Sequence, residues 1–63
     1  MQFETKIREV RIAQGLTQKQ LAQAVGVSRV FITQVENNQK QPSVLNLIKI
    51  AKALNVIMSD LLC

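Results

Sequence analysis

Arg29, Val30, Thr33 and Gln34 are spaced so that one face of an α-helix would carry all four. As side chains they suit one kind of chemistry. Arginine can donate two hydrogen bonds to guanine O6 and N7, and glutamine can exchange two with adenine N6 and N7. Valine offers only a methyl contact, for which a thymine methyl is the natural partner. Catalytic chemistry has far less to work with. The 63 residues include no His, Tyr or Trp, only four acidic side chains, and one Cys at position 63. One Cys without His makes neither an internal disulfide nor a zinc site. This composition argues against an enzyme and calls for no metal or other cofactor.

The charge points the same way. Formal net charge is +4, and residues 17–52 hold Lys19, Arg29, Lys40, Lys49 and Lys52 against Glu36 alone. That stretch is also rich in Gln, Asn, Ser and Thr, a pairing that suits a polyanion whose edges are read by amide side chains. The length predicts a single domain over residues 1–63, with a core that is marginal without help. A hydrophobic fraction of 48% at this net charge is too high for disorder. The charge-free stretch from Ala53 to Ser59 falls far short of the roughly 20 apolar residues of a membrane span. The first residues carry acid early and lack an apolar segment, so a secretory signal is not expected. The lone Cys63 reads as an unpaired thiol in a reducing compartment, and the chain as cytoplasmic.

The elements that must position these side chains are all helical, five short helices by the spacing of apolar residues. Phe3, Ile7 and Val10 form the inward stripe of the first, with Glu4 and Arg8 paired outside it and Gly15 at its end. Thr17 and Gln20 make a Thr-x-x-Gln capping box for a second helix, Gln18 to Ala24, with Leu21, Ala22 and Val25 inward. Gly26 turns the chain and Ser28 caps the third helix, Arg29 to about Asn37, with Ile32, Val35 and Glu36 inward. Ser43 caps the fourth, Val44 to Leu54, ended by Asn55. Ile57 to Leu62 forms a last turn or short helix. The second and third helices, joined by a glycine turn, describe a helix-turn-helix. Locking Val27, Ile32 and Val35 inward leaves Arg29, Val30, Thr33, Gln34 and Asn37 outside, on a helix that fits the major groove of B-DNA. Thr17, Gln18 and Ser28 lie at helix N-termini, where free N–H groups favour phosphate, and Lys40 is the one charge in the loop from Asn38 to Pro42.

The runs Gly15-Leu16-Thr17-Gln18-Lys19-Gln20-Leu21-Ala22, Val25-Gly26-Val27-Ser28-Arg29 and Ile32-Thr33-Gln34-Val35-Glu36-Asn37 resemble the lambda-repressor-like helix-turn-helix family of repressors, Cro proteins and bacterial regulators. Pro42-Ser43 and Ile50-Ala51-Lys52-Ala53-Leu54 continue the resemblance, which covers about Ile7 to Leu62. It implies that Gln18 bonds a phosphate and braces the recognition helix. It also implies that Arg29, Val30 and Gln34 read bases, that Asn37 contacts phosphate, and that Arg11 and Glu36 form a partly buried ion pair. Two positions depart from the pattern. Asn38 stands where the family often has Gly, and Asn tolerates the positive φ required. Ile57 stands where Ser or Thr usually caps the last helix, which weakens that helix.

Some residues have plainer readings. Lys49 and Lys52 fall on the wet face of the fourth helix, and Phe31 reads first as a satellite core contact, second as a base or sugar contact. Leu45, Ile48, Ile57, Met58 and Leu62 could join into one apolar patch near the C-terminus, a region that dimers of this family often use. The expected protein is therefore a sequence-specific double-stranded-DNA-binding regulator acting as a homodimer on a near-palindromic site. It is expected to be a repressor by occupying promoter DNA, with activation by touching polymerase equally compatible with the residues. An antitoxin or other protein-interaction module on the same fold is the alternative, and a toxin or polymerase is the kind of protein partner either could have.

Overall fold

The computed structural model describes residues 5–62. Phe3, Glu4 and Cys63, and the expectations attached to them, lie outside the described residues. Four α-helices follow one another: α1 (Ile7–Ala13), α2 (Gln18–Val25), α3 (Arg29–Glu36) and α4 (Val44–Leu54). A single 3₁₀ turn, Met58–Leu61, comes last. The fifth helix expected from the sequence is this four-residue turn, which leaves four α-helices rather than five. Its physical reason is local. Ile57 holds the extended backbone of an N-cap but has no side-chain oxygen to bond a free N–H, so nothing anchors a longer helix there.

Starts and stops of the helices follow from their sequences. Thr17, Ser28 and Ser43 each accept a hydrogen bond from the backbone N–H three residues on, those of Gln20, Phe31 and Asn46, at 3.0, 3.1 and 3.1 Å. The Gln20 side chain returns the bond to Thr17 N–H at 2.8 Å, completing the capping box. Every α-helix ends through one backbone pattern, in which the N–H of the residue after a left-handed residue reaches back to the carbonyl five positions earlier. The pairs are Leu16 to Arg11, Val27 to Ala22, Gln39 to Gln34 and Val56 to Ala51. The left-handed residues are Gly15, Gly26, Asn38 and Asn55, with φ of 74°, 88°, 59° and 58°.

The core gathers one stripe from each helix: Ile7, Leu21, Ala22, Ile32, Val35, Leu47, Ile50, Ala51, Leu54 and, from the last turn, Leu61. Leu61 was not among the expected core residues, yet it is fully buried. It is held by the Lys6 N–H, which donates to the Leu61 carbonyl at 2.7 Å, and by an isolated antiparallel bridge from Thr5 to Leu62. Gln14 adds a second tie, its side-chain N–H donating to the Leu54 carbonyl at the end of α4. These ties fix α1 to the C-terminal turn and to the end of α4.

Candidate nucleic-acid interface

Glu36 is the hub on which the site is built. It lies at the last position of α3 with its side chain fully buried. Arg11 on α1 grips it with two hydrogen bonds, Nε to Oε2 at 2.7 Å and Nη2 to Oε1 at 3.0 Å. The third arm of Arg11, Nη1, donates to the Leu16 carbonyl at 2.8 Å and so ties the α1–α2 turn to the same point. Gln18 Nε2 donates to Glu36 Oε1 at 3.1 Å. Burial by itself would raise the Glu36 carboxyl; the hydrogen bonds from Arg11 and Gln18, the Arg11 charge and Arg8 outweigh it and hold the carboxyl below its ordinary range. Glu36 is thus a carboxylate whose charge is answered inside the fold.

Gln18 has a second role in the same network. Its Oε1 accepts from the Thr33 hydroxyl at 2.8 Å, so one glutamine at the start of α2 bonds α3 at two positions a turn apart. The orientation of the two helices is fixed by side-chain hydrogen bonds as well as by packing of Leu21 and Ala22 near Ile32 and Val35 in the common core. Thr33 is in consequence half-buried, with its hydroxyl turned to Gln18. Among the expected base-reading residues it is the one whose polar atom is already engaged.

The other outward residues are placed differently. Arg29 and Val30 open α3, and both are exposed, Val30 at 60%. Gln34, one turn on, is half-buried. Ser28 and Thr17 are exposed at the N-termini of α3 and α2; their oxygens cap those helices, which leaves each hydroxyl hydrogen able to donate outward. Asn37 is exposed at the end of α3, and its Oδ1 accepts from Arg8 Nη2. Lys40 stands with its ammonium 5.2 Å from the centre of the Phe31 ring, a cation–π contact that holds the loop's charge beside α3. Phe31 itself packs against the core, its first expected role.

Arg8 is the residue that reading the sequence missed. Its expected pairing with Glu4 lies outside the described residues; within them it reaches across to the end of α3, with Nε 3.5 Å from Glu36 Oε1 besides its bond to Asn37. The available signal was its position one turn before Arg11, which puts both guanidiniums on one side of α1. The expected apolar patch is likewise reshaped. Leu45, Ile48 and Ile57 are exposed, at 60%, 38% and 67%, whereas Met58 and Leu62 are half-buried and packed on the core. No helix among the described residues is long and apolar enough to cross a membrane.

A family model described as helix-turn-helix matches residues 7–61. An uncharacterized HTH-type transcriptional regulator of Archaeoglobus fulgidus is 42% identical over 59 residues, 94% of this chain and 84% of that protein. The HTH-type transcriptional regulator SutR of Escherichia coli (strain K12) is 39% identical over 57 residues, 90% of this chain; the match spans only 32% of SutR. Among solved structures, the DNA-binding domain of the P22 C2 repressor superposes with a TM-score of 0.83 at 35% identity, covering 86% of this chain and 71% of that one.

Proposed function

The chain belongs to the lambda-repressor-like helix-turn-helix family, and from that premise we propose that it is a cytoplasmic transcriptional regulator that binds double-stranded DNA in a sequence-specific way. The observation that carries this reading is the pair of hydrogen bonds that Gln18 makes with α3, donating to Glu36 and accepting from Thr33. It holds the third helix rigidly with Arg29 and Val30 standing out at its N-terminal end. In the major groove Arg29 reads guanine, Val30 meets a thymine methyl and Gln34 reads adenine. Thr33 contributes its methyl to that face, since its hydroxyl is held by Gln18. Thr17, Gln18, Ser28, Asn37 and Lys40 take phosphates on either side of the groove.

The protein acts as a homodimer, with Leu45, Ile48 and Ile57 at the seam and Met58 and Leu62 supporting it from beneath. Two recognition helices then enter successive major grooves about 34 Å apart, and the site is a near-palindrome. Occupying promoter DNA makes it a repressor, in line with the P22 C2 repressor whose DNA-binding domain it resembles. Selection of bound sequences from random duplex DNA tests all of this together. The expected product is a motif of two inverted half-sites whose binding weakens steeply with salt. A motif without two-fold symmetry overturns the dimer, and the absence of any salt-dependent duplex binding overturns the reading as a whole.

A further inference from the structure

We propose that Arg8 is a positioning residue for DNA binding, making Asn37 a phosphate donor at the otherwise unfavourable end of α3; this rests on the reading of Asn37 as a phosphate contact. The difficulty that Arg8 resolves is electrostatic. Phosphates are favoured at helix N-termini, whereas Asn37 sits at a helix C-terminus, where the backbone carbonyls carry partial negative charge. An anion approaching Asn37 needs a cation close by, and Arg8 supplies it.

The same guanidinium sets the direction of the carboxamide. An exposed asparagine turns freely and can present either its oxygen or its NH₂ outward. Arginine has only donors, so its bond to Oδ1 turns the oxygen inward and the two N–H donors of Nδ2 out to solvent. Arg8 is not required to neutralise Glu36. Arg11 already does so with two hydrogen bonds, and the nearest approach of Arg8 to the carboxylate is longer, at 3.5 Å. Its side chain is 51% exposed, where an ion pair contributes little to stability. The effect of Arg8 is therefore felt at the surface, on what Asn37 offers a ligand.

The test is a double-mutant cycle, Arg8→Ala, Asn37→Ala and both together, on a mixed-sequence duplex of about 20 base pairs titrated at several salt concentrations. Asn37→Ala is expected to weaken binding about tenfold in the wild-type background and less than twofold in the Arg8→Ala background. Arg8→Ala flattens the plot of log affinity against log salt by about one unit, while moving the thermal midpoint by no more than a few degrees. A merely structural role would shift the midpoint and leave the salt slope alone. Asn37→Asp provides a check that does not disturb α1: Arg8 holds the carboxylate, which faces phosphate with no donor, so binding falls further than with Asn37→Ala. Independent, additive losses with an unchanged slope overturn the proposal and leave the protein a DNA binder. A wild-type chain that shows no salt-dependent binding overturns both.

Discussion

Three side chains from two helices meet the buried carboxylate of α3, and the consequences differ for each. Removing Arg11 leaves Glu36 in the interior without its bidentate partner, so Arg11→Ala should cost about 3 kcal/mol, a large share of what a domain of this size has. Urea denaturation measures it. The carboxyl also makes stability depend on acid. Its folded pKa is held below the ordinary range, so the unfolded chain takes up the proton first. The stability it contributes is full above the unfolded pKa and is lost as pH falls through the folded one. The thermal midpoint should fall on acidification below about pH 4, and Glu36→Gln, weaker at neutral pH, should lack that part of the slope. At the surface the prediction is about reading. Arg29→Ala should cost about 1–3 kcal/mol at one base position and relax the preference there, whereas Gln18→Ala should weaken every sequence alike. A selection in which the Arg29 variant keeps the full wild-type motif counts against the base-reading role. Much of this network was legible. Arg11, Gln18 and Glu36 could be placed because a run of family motifs fixed their register. Arg8 could not: its partner lies 29 positions away, while Glu4, four positions off, offered a local pairing that helical spacing favours.

At the scale of elements, the caps and turns decide where α3 points. Gly26 joins α2 to α3 at φ 88°, and a Cβ placed there would meet nothing within 4 Å. The penalty for a side chain is then the backbone conformation alone. Gly26→Ala should cost about 1–2 kcal/mol, seen as a lower urea midpoint with an unchanged m-value. Because no neighbour is displaced, the folded fraction should bind DNA as the wild type does. A loss of affinity beyond the unfolded fraction would mean that the turn had reoriented α3. The same logic explains what could be foreseen. Thr17 with Gln20, Ser28 and Ser43 announce helix starts within four residues, and Gly or Asn at the ends announce stops, because capping is chemistry between near neighbours. The last turn was over-read as a helix, since Met58, Leu61 and Leu62 have helical spacing while Ile57 has no group to cap with. Leu61 was missed as core for the complementary reason. Its burial depends on the Thr5–Leu62 bridge and the Lys6 bond, long-range contacts that no local pattern encodes.

Across the whole molecule, ten apolar side chains among the described residues are buried, and several more are left outside. Val30 has a place in the proposed groove contact; Ile12 is exposed on α1, and Val44, Leu45, Ile48 and Ile57 are exposed on α4 and just beyond it. Small domains gain most from a partner, because folding alone buries only about 60% of their surface. Ile57 separates that benefit from the stability of a single copy. Its backbone, φ −82° and ψ 155°, is already that of the three helix caps, which have ψ of 163°, 154° and 163°. A serine there would supply the missing oxygen to the first N–H groups of the 3₁₀ turn, and little burial would be lost from a side chain 67% exposed. Ile57→Ser should therefore stabilise the isolated chain by about 0.5–1 kcal/mol while removing an apolar side chain from the proposed seam. In sedimentation across a concentration series, the monomer–dimer equilibrium should shift about tenfold toward monomer, the effect of losing roughly 1.4 kcal/mol of buried apolar contact. Affinity for a two-fold DNA site should fall with it, and affinity for an isolated half-site should not. A variant that gains stability at every concentration and dimerises as before would move the seam elsewhere, and a wild type that stays monomeric throughout would remove it.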